Sequence, residues 1–403
     1  MKRTTLLVAA TSMSLLLAAC QGNTLFSNGS SASPPTDVKV VAGDSRVTVT
    51  WTAASNVDYW LFYAPGASVT PDNWGFLGGK TVMNASSPTV VTGLTNGTTY
   101  SFTVNGRIDK GPGGAGSTAI AVVPRLAGGI WTAGALLGNS LNGAAYGSAF
   151  VAVGDGGVMY SSTDGMTWKA LTNPAAPSKL NAAIYGGIYV AAGANGVILY
   201  SSDATTWTQA PSNPLNEFTA LAGSGAGYLA VGKAGVISTS SNGQTWTAPT
   251  TLGGGVNLNG AIYGNSKWVV VGDAGTILTS ADALTWTAVA SGTPSKLTSV
   301  TYGLNAATGA ALFVATGAAG ALLTSADGVT WTARATPTTN NLNSVVYGRQ
   351  FIAAGDSGTV LTSTDGVNWQ AQTSGTVGNL NAIAFNAYGY TAVGASGTNL
   401  TAY

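Results

Sequence analysis

Nine carboxylates lie between residue 128 and Tyr403, and their spacing sorts them into three groups. Asp164, Asp203, Asp282, Asp327 and Asp365 recur in one repeated turn of six copies, the third of which carries Asn242 instead. Asp155, Asp273 and Asp356 each follow a glycine, in Val-Gly-Asp-Gly-Gly, Val-Gly-Asp-Ala-Gly and Ala-Gly-Asp-Ser-Gly, and the ninth is Glu217. Two carboxyls flanking a sugar bond can hydrolyse it, one as acid and one as base or nucleophile. Asp155, Asp273, Asp356 and Glu217 are the residues from which such a pair could be drawn. A ring of aspartates could also hold calcium. Other chemistries are closed: the chain has no histidine and one cysteine, Cys20, which removes His-based triads, Cys/His zinc sites and disulfides. No metal and no cofactor are expected.

The composition narrows the partners. Of 403 residues, 15 are Lys or Arg and 14 Asp or Glu, so 7% are charged, against roughly 25% in an ordinary soluble domain. A net charge of +1 offers no field for a phosphate backbone, so nucleic acid is excluded as a partner. With 45% hydrophobic residues the chain can build real cores. Outside the N-terminus no apolar run reaches the ~18 residues of a membrane span.

Lys2 and Arg3 precede an apolar stretch from Leu6 to Ala19, ending Leu17-Ala18-Ala19-Cys20, which reads as a secretion signal over residues 1–19. Small residues before a lone cysteine resemble the bacterial lipobox. The resemblance implies a lipid on Cys20, a membrane anchor, and, with Gln21 following, export to the outer membrane on its periplasmic or cell-surface side. Residues 20–34, rich in Ser, Gly and Asn, read as a flexible tether.

Residues 35–125 alternate polar and apolar in short runs, including Val38 to Val40, Val47 to Trp51, Tyr59 to Tyr63 and Tyr100 to Val104. That predicts a small β-sandwich. Pro34-Pro35, Trp51 and Leu94-Thr95-Asn96-Gly97-Thr98-Thr99-Tyr100 resemble a fibronectin type III domain. The resemblance makes Trp51 a core residue, Tyr100 the tyrosine of a corner, and the domain a stalk. No Arg-Gly-Asp tripeptide supports adhesion.

Residues 128–403 repeat. Trp131, Trp168, Trp207, Trp246, Trp286, Trp331 and Trp369 are spaced by 37, 39, 39, 40, 45 and 38 residues, and a second series keeps step as Leu141-Asn142, Leu180-Asn181, Phe218-Thr219, Leu258-Asn259, Leu297-Thr298, Leu342-Asn343 and Leu380-Asn381. Four short apolar runs per unit predict an all-β propeller of seven blades. The region opens on a lone fourth strand, Ile130 to Ala133, and ends after a third, Gly397 to Ala402, so the first should complete the last blade. The repeated turn, Ser162-Thr163-Asp164-Gly165-Met166-Thr167-Trp168 and its five relatives, resembles the Asp-box (BNR) repeat of sialidase-like propellers, one residue shorter than the common form. The resemblance implies that Asp164, Asp203, Asn242, Asp282, Asp327 and Asp365 staple the fold on the face away from any ligand.

Sialidases of that type need an arginine cluster and a Tyr/Glu pair. Only Arg334, Arg349 and Glu217 are available after residue 128, so that activity is not expected. Photosystem assembly factors of the same type grip their partners with arginine-rich faces, which have no counterpart here. What remains is recognition. Asn142, Asn181, Thr219, Asn259, Thr298, Asn343 and Asn381 should ring one mouth of the channel beside Asp155, Lys233, Asp273 and Asp356, with Lys179 and Lys296 near. Amides and hydroxyls there could bind a glycan or an envelope protein, or simply bond blade to blade. Aspartate after glycine suits the capping of those turns. The alternatives are an Asp-box glycoside hydrolase and an assembly scaffold.

Overall fold

The structure is a computed structural model that describes residues 29–66, 68–211 and 216–403. Cys20, the signal segment and the start of the tether lie outside the described residues. Two compact units form, one of residues up to 38, 50–87 and 101–120, the other of 39–49, 88–100 and 121–403. No helix among the described residues is long and apolar enough to cross a membrane.

Two sheets account for the fibronectin-like region. One orders Ser30–Ala32, Tyr100–Ile108, Asp58–Pro65 and Lys80–Ala85, with Ile120–Val122 also on Tyr100–Ile108; the other orders Thr36–Gly43, Arg46–Thr52 and Thr89–Thr92. In Arg46–Thr52 the side chains alternate, with Val47, Val49 and Trp51 buried and the residues between them half-buried, as a sheet with one face on a core requires. Trp51 packs against Tyr59 at a centroid distance of 5.7 Å. The Tyr100 hydroxyl accepts the Thr95 N–H at 3.3 Å, forming the expected corner. The tether is shorter than its composition suggests, because Ser30–Ala32 pairs with Gly106–Ile108. Strand pairing uses backbone groups, so a polar Ser-Ser-Ala segment can fill a sheet edge with no apolar signal.

The remaining chain forms seven four-stranded antiparallel sheets. Their first strands are Leu141–Tyr146, Leu180–Tyr185, Phe218–Ser224, Leu258–Gly264, Leu297–Leu304, Leu342–Tyr347 and Leu380–Phe385. Second strands such as Phe150–Gly154, Tyr189–Gly193 and Phe351–Gly355 are buried at every position. They are apolar without alternation because both faces of each blade meet a neighbour. Val151 and Val153 of the first blade pack with Leu180, Tyr189 and Leu199 of the second. Leu141 and Ala152 pack with Ala382 and Val393 of the seventh. The long interval places its extra residues between Leu297–Leu304 and Ala311–Gly317.

Closure follows the expected route. Thr132 and Ala133 pair with Thr401 and Leu400. Trp131 is buried among Leu380, Tyr390 and Leu400, and its Nε1–H donates to the Gly128 carbonyl at 2.8 Å. The same bond, from tryptophan to the carbonyl three residues back, recurs at Trp168, Trp246 and Trp369.

The repeated turns are self-contained. Asp164 Oδ1 accepts the N–H groups of Met166 and Thr167 at 2.8 Å each, while Ser162 Oγ accepts the Gly165 N–H at 2.8 Å. Gly165 has φ 70°, so glycine suits the position. Two blades hold alanine there, Ala204 and Ala283, in the same left-handed conformation. Donated N–H groups favour the charged carboxylate. The Thr206 and Thr205 N–H groups lower Asp203, and those of Thr330 and Val329 lower Asp327. At Asp365 burial pushes upward, but the Asn368 and Val367 N–H groups and the Asn368 amide outweigh it and hold the carboxyl at about 2. Asn242 accepts the Gln244 and Thr245 N–H groups at 2.9 Å without a charge.

Two outcomes follow. Deleting residues 128–136 removes the closing strand and the Trp131 contacts, and should lower the propeller's melting temperature by about 10 °C or more in a circular-dichroism melt. An unchanged temperature rejects closure. Because the turn carboxyls are lowered on folding, their contribution is complete above the unfolded value of about 4 and is lost as pH falls toward 2. Urea midpoints should therefore hold down to about pH 4 and then drop, with Asp365→Asn losing less than the parent between pH 4 and pH 2. Parallel acid profiles would remove these turns as the cause.

Candidate functional site

Each blade opens on a bulge. Pairing of the first with the second strand slips between Leu141 and Gly143, and again at the equivalent place in the other six blades. The residue left out of register is Asn142, Asn181, Thr219, Asn259, Thr298, Asn343 or Asn381. A bulge re-aims the side chain of its extra residue. All seven re-aimed side chains donate to the carbonyl of the first bulge-flanking residue in the next blade. Asn142 reaches Leu180 O at 3.0 Å, Asn181 Phe218 O at 2.8 Å, Asn259 Leu297 O at 2.9 Å and Asn343 Leu380 O at 3.0 Å. Thr219 and Thr298 donate their hydroxyls to Leu258 O and Leu342 O. Asn381 returns to Leu141 O at 2.9 Å and completes the circle.

The belt explains the Gly-Asp turns. The aspartate carboxyls of these turns accept side-chain amides, and in two of the turns a threonine hydroxyl donates to the aspartate's backbone carbonyl, Thr276 to Asp273 and Thr359 to Asp356, at 2.7 Å each. An asparagine amide has two N–H donors, and its second one goes to the carboxylate of its own blade. Asn142 meets Asp155 at 2.8 Å, Asn259 meets Asp273 at 2.8 Å and Asn343 meets Asp356 at 2.9 Å. Where the turn holds Lys233 or Ala318, the belt residue is Thr219 or Thr298, which has one donor to place. Asn181, whose turn holds Ala194, directs its spare donor toward Glu217 at 3.5 Å. The glycine before each turn residue has a steric cause: a Cβ on Gly355 would strike the Asn341 carbonyl oxygen.

Lysines complete the circuit. Lys179 lies 3.1 Å from Asp155, Lys233 2.7 Å from Glu217 and Lys296 3.8 Å from Asp273. These pairs are partly exposed and contribute little stability. At Asp155 and Asp273 the lysine adds to amides that already favour the charged form. The Asn142 amide, then Lys179, lowers Asp155 against the upward push of burial. At Asp273 burial pushes upward and is outweighed by the Asn259 and Asn257 amides and by Lys296.

All seven belt residues line one cavity of about 260 Å³, with first-strand residues such as Ala144, Ile184 and Ile262 below them. Asp155, Lys233, Asp273 and Asp356 do not line it. No cluster of metal-ligating side chains occurs among the described residues. Asp164, Asp203, Asn242, Asp282, Asp327 and Asp365 stay within their own turns, each bonding a serine two residues earlier. The pairing of belt asparagine with turn aspartate, 13 or 14 residues apart, is present in the sequence as co-occurrence between blades. The bulge that aims the pair has no sequence signal.

These features define an all-β protein with a fibronectin type III domain and a seven-bladed β-propeller whose central cavity is ringed by a side-chain hydrogen-bond belt. Residues 33–123 match the fibronectin type III domain family. Among solved structures, the chain is similar to YCF48 from Cyanidioschyzon merolae, at 18% identity over 67% of this chain and 98% of that one, with a TM-score of 0.52. It is also similar to a streptogramin B lyase, at 12% identity over 68% and 97% with a TM-score of 0.59, and to virginiamycin B lyase from Staphylococcus aureus, at 12% over 68% and 98% with a TM-score of 0.54. At these identities the likeness is one of fold. No curated protein sequence matches the chain.

Replacing one belt residue separates its two bonds. Asn343→Ala leaves Leu380 O and one Asp356 oxygen without their donor and should cost about 1–3 kcal/mol in urea unfolding. Asn343→Thr keeps the blade-to-blade bond, as Thr219 and Thr298 do, and should lose less than half as much. Equal losses would mean that the belt bond contributes nothing.

Proposed function

We propose that this protein is an exported lipoprotein, anchored in the outer membrane through Cys20, whose propeller is a non-catalytic recognition module for an envelope protein or glycan on a fibronectin-like stalk. We read its repeated turns as Asp-box (BNR) staples of the sialidase-like type. The observation that carries the binding reading is the state of the carboxylates near the channel mouth. A glycoside hydrolase needs one carboxyl raised toward neutrality to act as acid. Asp155 and Asp273 are instead lowered, by amides and lysines. Glu217 is paired with Lys233. The fold does not choose a function by itself: one structural neighbour is YCF48 bound to D1 peptide and another is a streptogramin B lyase.

One experiment addresses anchor and ligand together. Cells producing the full chain are fed labelled palmitate and crosslinked, and the purified protein is then offered to a glycan array and a polysaccharide panel. The expected result is label that disappears in Cys20→Ala, one saturable envelope protein or glycan ligand, and no release of reducing sugar. Hydrolysis abolished by Asp155→Asn or Asp273→Asn overturns the non-catalytic reading. Crosslinked membrane partners without any saturable ligand would instead indicate an assembly scaffold.

A further inference from the structure

The Gly-Asp turns carry their own control. In two of them the residue just before the next blade's opening leucine supplies a cation: Lys179 to Asp155 at 3.1 Å and Lys296 to Asp273 at 3.8 Å. The turn of the sixth blade repeats the Asp273 arrangement in its other parts. Asn341 and Asn343 donate to Asp356 at 2.8 and 2.9 Å, as Asn257 and Asn259 donate to Asp273 at 2.9 and 2.8 Å. The lysine position, however, holds Asn379, whose Oδ1 accepts the Ser357 N–H at 3.0 Å. None of the ion pairs among the described residues includes Asp356. A carboxylate oriented by two amides is left without its cation. Beside the same turn opens a groove of about 690 Å³, lined by Ser357, Gly358, Thr359, Thr376, Pro337 and Val377, the last 89% exposed; Asp356 itself is one residue from this lining and not part of it.

We propose that Asp356 receives the ammonium group of a lysine side chain on a partner polypeptide, whose chain lies in this groove. The inference rests on the reading of this face as a binding face and names its partner chemistry. Each Asp356 oxygen already accepts one amide bond, which suits a compact ammonium, as at Asp155 and Asp273, better than a guanidinium seeking both oxygens at once. The groove falls in the size range of ligand sites. Val377 and Pro337 offer apolar surface to a lysine stem, and the hydroxyls of Ser357 and of Thr376, the latter already accepting the Gly378 N–H, can donate to a peptide backbone.

The test titrates the full chain with a capped lysine pentapeptide, following the side-chain amide resonances of Asn341 and Asn343, with the norleucine version as control. The lysine peptide should shift both saturably and the control should not. Asp356→Asn should weaken binding about three- to five-fold. Asn379→Lys supplies the missing internal cation, at a position where Lys179 and Lys296 are already accommodated, and should weaken it at least as much with an unchanged melting temperature. Absence of a shift, equal shifts with norleucine, or unchanged affinity in both variants overturns the proposal. Crosslinking to envelope extract separates the two readings. Equal capture by the parent and Asn379→Lys refutes the lysine slot alone, and no capture by the parent refutes the binding face.

Discussion

The propeller depends on how its innermost strands satisfy their open edge. The first strand of each blade pairs with only one neighbour, so its other edge carries backbone groups with no strand to meet them. At the channel mouth the solution is cyclic. A bulge turns one Asn or Thr out of each ladder, and that side chain donates to the backbone of the next blade. Closure of the circle at Asn381 and Leu141 joins residues 240 positions apart. The buried apolar interfaces supply most of the cohesion, but they are tolerant of sliding. A directional bond at each of seven junctions fixes where one blade stands against the next.

That belt gives the sparse charge its pattern. Removal of Lys2 and Arg3 with the signal would leave 13 basic and 14 acidic side chains, a net of 13 − 14 = −1. Of the nine carboxylates after residue 128, five are consumed by backbone N–H groups in the Ser-x-Asp turns and three accept belt amides. Such groups are held ionised where they are held low, which makes them good structural acceptors and poor proton donors. Asp356 stands apart because its two amides come without a lysine.

Much of the architecture was legible in the chain. The tryptophan period, the four apolar runs per unit and the orphan strand at Trp131 define seven blades and their closure, because each reports a local requirement: apolar side chains on both faces of a blade, glycine at positive φ, aspartate where N–H groups converge. The roles of Tyr100 and Trp51 came instead from the resemblance to a fibronectin type III domain. Ser30–Ala32 was not legible, since edge pairing asks nothing of side chains. The partner of the aspartates after glycine was not legible, because each carboxyl accepts an amide 13 or 14 residues away.

The sequence alone therefore determined the repeat, its number and the face on which polar residues gather, all of which follow from periodicity and local backbone chemistry. Tertiary structure decided what those residues do. Whether an asparagine at a channel mouth faces a ligand or a neighbouring blade depends on a one-residue slip in strand register, and whether an aspartate has a cation depends on what the next blade places beside it. Both are set by contacts between segments about forty residues apart, which no local pattern encodes.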